Sequence, residues 1–292
     1  MVVGVDVGGT KMAGAVVARD SSVLASLNLH TPKEAEPLLD ALADLVRRLC
    51  AASPEPVRAV GVGLPSTIDA GGMVLFSTNI DLHHVDAGAE LRARIGLPVA
   101  IDNDGNLAAM AEHRLGAGRG SDAVVMLTIG TGIGGGVILD GRPMRGGSGT
   151  GAELGHMVVK ADGPPCQWHC PNHGCLETMA SGTAIARDGG APAEEIVARA
   201  TAGDAGAVAT LERAGQYLGV GLASLANVLN PDVFVIGGGV MGGAGELLLG
   251  PARREYRSRA LPPNATAPVV PATLGTGAGV LGAALLAADA VA

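Results

Sequence analysis

Between Glu153 and Glu177 the chain reads Glu153-Leu154-Gly155-His156 and then Cys166-Gln167-Trp168-His169-Cys170-Pro171-Asn172-His173-Gly174-Cys175-Leu176-Glu177. Three of the four cysteines fall within ten residues, a histidine precedes them, and a carboxylate stands at each end. Thiols and an imidazole gathered this closely suit a small structural metal site. The flanking acids are groups such a site would hold in place.

Composition narrows what that stretch can mean. The 292 residues suffice for two medium domains, each with its own core. With 20 Lys and Arg against 28 Asp and Glu the net charge is -8, which leaves no electrostatic footprint for nucleic acid or an anionic membrane. Lysine occurs only at Lys11, Lys33 and Lys160. Aromatic residues are 2% of the chain and hydrophobic residues 48%, so the core must be aliphatic, and the scarcity of aromatics argues against base-stacking platforms. The first residues, Met1-Val2-Val3-Gly4-Val5-Asp6, lack the basic and apolar regions of a secretory signal, and no apolar run reaches the roughly 20 residues of a membrane span. A cytoplasmic location is therefore expected. There the clustered thiols serve metal ligation better than disulfides, and the isolated Cys50 reads as a buried small hydrophobe.

The elements that must position these groups follow an α/β pattern. Val2–Val7, the turn Gly8-Gly9-Thr10-Lys11 and Ala13–Val17 read as strand, turn, strand. Glycines there admit close approach of a ligand, Thr10 offers a hydroxyl, and Asp6 sits where a magnesium ion would be held through water. Thr31-Pro32-Lys33-Glu34 has capping-box spacing ahead of a helix whose buried face is Leu38, Leu42, Leu45 and Leu49. A strand over 57–62 leads into a loop, Gly63 to Asp69, which continues to Asn79-Ile80-Asp81. In open α/β sheets such strand ends bind ligands. After a helix over 87–95, a strand over 97–101 delivers Asp102-Asn103-Asp104 into a helix over 107–115. At that junction Asp104 suits either catalysis or simple N-capping.

Ala123–Leu127 followed by Thr128-Ile129-Gly130-Thr131-Gly132-Ile133-Gly134-Gly135-Gly136 repeats the strand, glycine turn and strand of the N-terminus. Two such units suggest a duplicated architecture with a nucleotide's phosphates between the halves. Helices over 194–201 and 208–229 precede a buried strand, Val233–Ile236, that ends in Gly237-Gly238-Gly239. An edge strand over 268–271 and an apolar helix over 278–288 close the chain. Gly189–Pro192 is the best candidate for a mobile loop.

These motifs occur in the order and spacing of the ROK family, which the chain resembles from Val3 to about Ala288. They are Asp6-Val-Gly-Gly-Thr-Lys11, Asn103-Asp104, Thr128 to Gly136, Glu153-Leu-Gly-His156, Cys175-Leu-Glu177 and Gly237 to Gly239. The resemblance implies an actin-like ATPase (ribonuclease H-like) fold of two α/β domains around a central cleft. The smaller domain would be 1–108 completed by the C-terminal helix 277–292, and the larger 109–276. It implies an ATP-dependent sugar kinase of the glucokinase type, with Asp104 as general base toward the 6-hydroxyl of a hexose. Asn103, Glu153, His156 and Glu177, with Asn79 added, would bind the sugar. Asp6 would lie near Mg2+. Gly8, Gly9, Thr10 and Lys11 with Thr131 and Gly132 would hold the ATP phosphates, while Gly237, Gly238 and Gly239 would face the adenosine. A structural Zn2+ on His156, Cys166, Cys170 and Cys175 would fix the tautomer of His156. A homodimer or tetramer is also expected.

Two departures from the family pattern stand out. Cys166 and Cys170 are separated by three residues where Cys-x-Cys is usual, so His169 competes with Cys166 as the fourth ligand. Ser66 replaces the glycine of the Gly-x-Pro-Gly loop, which opens the choice of hexose: glucose leads, ahead of fructose, mannose, allose or an N-acetylated hexosamine. The rival reading is a sugar-sensing regulator without catalysis. A strand beginning at Val2 leaves no room for the helix-turn-helix of such proteins, and retention of Asp104 favours an enzyme. Polyphosphate as donor is a further alternative that the scarcity of lysine disfavours.

Overall fold

The structure, a computed structural model, describes residues 1–77, 80–167 and 170–292. Its contacts divide the chain into two compact units. One comprises Met1–Ala111, Pro143–Ala152 and Thr276–Ala292, and the other Glu112–Arg142 and Glu153–Gly275.

In the first unit β1 (Val2–Val7), β2 (Lys11–Val17) and β3 (Val23–His30) form an antiparallel meander. Helix α1 (Ala35–Ala52) returns the chain to β4 (Val60–Leu64), which lies parallel to β1. The short strands β5 (Ser66–Ile68) and β6 (Val74–Ser77) make a hairpin, and α2 (Ala87–Ile95) leads to β7 (Val99–Asn103), parallel to β4. The sheet order is β3-β2-β1-β4-β7. Alternation along β1 decides which side each residue serves. Val3, Val5 and Val7 are buried in one cluster with Leu38, Leu42, Leu45 and Leu49 of α1, as the leucine spacing requires. Gly4 and Asp6 lie toward the C-terminal helix, Ala278–Asp289. That helix packs on β1 and β4 and meets Leu107 and Met110 of α3 (Asp104–Leu115) through Ala283.

The second unit repeats the plan. It pairs β8 (Val124–Ile129) with antiparallel β9 (Ile133–Leu139), which is followed by β10 (Arg142–Pro143). Helices α4 (Leu176–Ala180), α5 (Gly182–Gly189), α6 (Ala193–Thr201) and α7 (Ala205–Leu229) precede β11 (Val233–Gly237), which is parallel to β8. Then come α8 (Gly239–Ala244), α9 (Glu246–Arg259) and β12 (Val269–Pro271), giving the order β10-β9-β8-β11-β12. Helices α7 and α9 pack closely, and Phe234 and Tyr256 meet edge to face with ring centroids 5.5 Å apart. Among the described residues no helix is long and apolar enough to cross a membrane.

Four expectations need correction. The strand expected over 57–62 is β4, Val60–Leu64, because its register is set by pairing of Val60–Gly63 with Val3–Asp6. Part of the expected loop from Gly63 is the strand β5, paired with β6. Thr31 does not cap α1; its hydroxyl donates to Gly8 O at 2.8 Å, and Glu34 occupies the N-cap without a side-chain bond. Pro143–Ala152, assigned by sequence to the larger domain, belongs to the first unit, where Arg145 pairs with Asp102 and Ala70 N donates to Ser148 O at 2.8 Å.

The α1 face should dominate the stability of the first unit. Leu42→Ala is expected to cost about 2–5 kcal/mol in urea unfolding, since Leu42 is fully enclosed by the α1 and sheet cluster. Loss of less than about 1 kcal/mol would contradict this packing.

Candidate active site

The Cys/His segment is a folded ribbon. Val158 bridges Cys175 and Pro165 bridges His173. Cys166 N donates to Asn172 O at 2.8 Å and Val159 N to Gly174 O at 2.9 Å. These bonds bring His156, Cys166, Cys170 and Cys175 together with all ligand atoms within 4.8 Å of one another. Cys166 Sγ lies 3.5 Å from His156 Nδ1, and Cys170 Sγ lies 3.8 Å from Cys175 Sγ. A tetrahedral zinc, with Zn–S of about 2.3 Å and Zn–N of about 2.0–2.1 Å, spaces its ligands about 3.5–3.8 Å apart. The donor set therefore fits zinc despite the widened Cys166–Cys170 spacing. Burial holds the Cys166 and Cys175 thiols above the usual thiol range, a penalty that a bound cation removes. His169 lies outside the described residues, as does Asn79.

The ribbon delivers two acids. Leu176 N donates to Met157 O at 2.8 Å, so α4 starts directly after Cys175 and carries Glu177 inward. Glu177 is 8% exposed. Its Oε2 accepts from Ile133 N at 2.8 Å, while its Oε1 is buried without a hydrogen-bond partner among the described residues. Gly132 is required here, because a Cβ at that position would collide with Glu177 Oε2. A short turn over Leu154–His156, closed by His156 N to Glu153 O at 3.1 Å, sets Glu153 and His156 one turn apart. Glu153 has an exposed edge, yet crowding on its inner side raises its carboxyl above the ordinary value. The charge of His156 opposes that rise and the like charge of Glu177 adds to it.

The glycine turn after β8 is anchored to the start of α5. Gly182 N donates to Gly130 O at 2.8 Å and Thr183 Oγ1 to Thr131 O at 2.8 Å. Beside it lies a cavity of about 780 Å³, a volume suited to a nucleoside. Gly130, Thr131 and Gly239 line it together with Thr183, Pro192, Val197 and Val240. Gly132, Gly237 and Gly238 are not among its lining residues. The contributions of α5 and α6 escaped the sequence reading, which took Gly189–Pro192 for a mobile loop. The paired small residues at Gly182 and Ala186 were the available signal.

In the first unit Asp6 lies on β1 between Ala13 and Gly63 and against the backbone of Gly279, where a Cβ would collide with its carboxylate. Burial raises its pKa from 3.8 to about 6. The Gly8-Gly9-Thr10 turn is held by Gly8 N to Lys11 O at 3.0 Å, by Thr31, and by a bond from Lys33 Nζ to Gly9 O. Thr10 and Lys11 are exposed. Asp104 is the first residue of α3, its Oδ1 accepting from Gly105 N at 2.8 Å. The capping duty is shared by Asn103, whose Oδ1 accepts from Gly105 N at 2.8 Å and Asn106 N at 3.2 Å. Asn103 Nδ2 donates to Ser66 O at 3.2 Å and has one further proton to give. The Ser66 hydroxyl is paired with Ser77 Oγ inside the β5–β6 hairpin.

A sequence profile of the ROK family matches residues 2–290. The chain belongs to the ROK family. A glucokinase of Streptomyces coelicolor is 35% identical over 99% of this chain and 98% of its own. The crystal structure of a ROK family glucokinase from Streptomyces griseus in complex with glucose and AMPPNP has 37% identity, a TM-score of 0.86 and coverage of 99% of both chains. A ROK hexokinase from Thermus thermophilus has 39% identity, a TM-score of 0.87 and coverage of 99% of this chain and 98% of its own. The fold of this ROK chain is accordingly the α/β fold of the actin-like ATPases.

Two outcomes follow. Purified protein should carry about one zinc per chain, and chelation or Cys170→Ser should lower the melting temperature by more than about 5 °C; freshly purified, folded protein free of zinc by elemental analysis would refute the ligand set. For Asp6, whose folded pKa is raised, the associated stability is present below about pH 4 and is lost as pH rises through about 6. Asp6→Asn should therefore melt higher than the parent at pH 7 by a margin that shrinks toward pH 4 in ligand-free scans. A pH-independent difference would contradict the burial of this carboxylate.

Proposed function

We propose that this chain is an ATP-dependent ROK hexokinase that transfers the γ-phosphate of ATP to the 6-hydroxyl of a hexose, with glucose the leading substrate. The observation that carries the reading is the half-satisfied Glu177. A buried carboxylate oxygen without a partner costs on the order of 1–3 kcal/mol, and a sugar hydroxyl donating to it removes that cost. The similarity over nearly the whole chain to a glucokinase described in complex with glucose and AMPPNP supports the same reading. So does the pairing of Ser66 with Ser77, which spends the added hydroxyl within the hairpin.

In this reading Glu153, His156, Glu177 and Asn103 bind the sugar hydroxyls, and Asn79 joins them. An array of fixed acceptors and donors discriminates epimers because a misplaced hydroxyl leaves buried partners unmatched. Zinc would be held by His156 Nδ1 and the sulfurs of Cys166, Cys170 and Cys175. Bound there, it supplies rigidity and leaves His156 Nε2 protonated, a donor to a sugar oxygen. The amides of Gly8–Lys11 and of Thr131–Gly132 receive the phosphates, and the cavity beside Gly239 receives the nucleoside, with Gly237 and Gly238 at its approach. Mg2+ near Asp6 would neutralise phosphate charge. The sugar O6 attacks the γ-phosphorus, the bond to the bridging oxygen of ADP breaks, and the hydroxyl proton passes to the Asp104 carboxylate. Phosphoryl transfer through a loose transition state asks mainly for alignment and charge neutralisation, so an ordinary carboxylate suffices as the base. The reading includes a cytoplasmic homodimer or homotetramer.

A panel of hexoses offered with ATP or polyphosphate in a coupled assay tests the activity. Asp104→Ala should lower kcat by roughly 10²–10⁴-fold while glucose binding by calorimetry stays within about threefold. Near-parental turnover in that variant would sink the assignment of the base.

A further inference from the structure

One ion pair, buried on its carboxylate side, has no part in the chemistry above. Asp102, the residue before Asn103-Asp104, is 5% exposed. Its Oδ2 receives both Arg145 Nε, at 2.9 Å, and Arg145 Nη2. Its Oδ1 accepts from Asn103 N at 2.8 Å and from Asn106 Nδ2 at 3.2 Å. The carboxylate thus grips the backbone just before Asp104 and a side chain just after it, and Arg145 completes its shell.

Arg145 itself is fixed from two directions. Gly151 N donates to Arg145 O at 2.8 Å, closing the Met144–Gly151 loop on its carbonyl. Ser148 O accepts from Ala70 N at 2.8 Å, which fastens the loop beyond the β5–β6 hairpin. These bonds anchor the backbone of the loop that carries Arg145, and Asp102 holds the guanidinium while the side chain remains 42% exposed. An ion pair whose guanidinium is this exposed is weak support for stability, because solvent screens it. Its distinctive effect is geometric: two donors converge on one oxygen and fix the rotation of the Asp102 side chain.

We propose that Arg145 is a positioning residue for phosphoryl transfer. Acting through Asp102, it sets the strand-to-helix junction that presents Asn103 and Asp104. The proposal rests on the kinase reading for its kinetic consequence and on the contacts above for its structural one. Misplacement of a reacting group by about 1 Å can cost about 10²-fold in rate. The sugar contacts assigned to Glu153, His156 and Glu177 are untouched by such a shift and only that of Asn103 shares it, so the effect falls mainly in kcat.

Arg145→Ala should lower kcat by roughly tenfold to a hundredfold, with the KM values for glucose and ATP within about threefold of the parent. Arg145→Lys, which keeps the charge without the fork, should recover part of the loss, and it serves for the same comparison if the alanine variant fails to fold. Hydrogen-exchange mass spectrometry supplies a readout independent of activity. Amides of residues 102–106 should exchange at least about tenfold faster in the variant while those of β1 and β4 keep the parental rate. Unchanged kcat in a folded variant, unchanged exchange at 102–106, or faster exchange spread equally over β1 and β4 would each overturn the proposal. If the parent phosphorylates no hexose the kinase reading fails, and the exchange comparison then decides the positioning claim alone.

Discussion

A carboxylate that is buried and half paired is the constraint on which the second unit turns. The amide of Ile133 satisfies one oxygen of Glu177, and the other meets no donor among the described residues. Keeping such a group in place needs a rigid surround, because a mobile side chain would rotate its free oxygen toward water. The surround is built from both directions along the chain. Cys175 immediately precedes α4, and the glycine turn after β8 comes within contact distance at Gly132. The Cys/His ribbon and the glycine turn are thus two supports of one carboxylate, which explains why cysteines stand so close to residues proposed to bind the sugar.

The first unit solves a related problem differently. Its functional carboxylates stand at the carboxyl ends of parallel strands, Asp6 on β1 and Asp102 on β7, with Asp104 one residue beyond β7. Asp6 is kept from water by the backbone of the C-terminal helix and carries a raised pKa. Asp102 is buried too, but it is fully supplied with donors, among them a guanidinium. The carboxylate proposed to lie near a cation carries a raised pKa, and the one that holds its neighbours is supplied with four donor contacts. Burial alone does not distinguish the two; the count of donors does.

Much of this was legible in the residues. The α2 boundaries, the strand, turn and strand at the N-terminus and the leucine face of α1 follow from periodicity and turn chemistry, which are local. His156 and the three cysteines advertise themselves by type and spacing. What was not legible depends on partners far along the chain. The limits of β4 are set by β1, and β5 and β6 are too short to show a period. Thr31, which looks like a cap, is taken by a carbonyl of the glycine turn 23 residues earlier. Arg145 sits in a glycine-rich run whose composition says only loop, and its partner is 43 residues away. The walls of the cavity beside Gly239 in α5 and α6 are ordinary small residues, visible as a cavity only once folded.

The repeated strand order, β3-β2-β1-β4-β7 and β10-β9-β8-β11-β12, places Asp6 and Thr128 at matching positions, each two residues before its glycine turn. The scaffold is duplicated and the charge is not. One copy presents a carboxyl that burial raises to about 6, while the other presents a hydroxyl and backbone amides that do not titrate in the physiological range. Repetition here supplies two platforms with unlike electrostatics, so sensitivity to protons resides in one copy of the motif and not in the other.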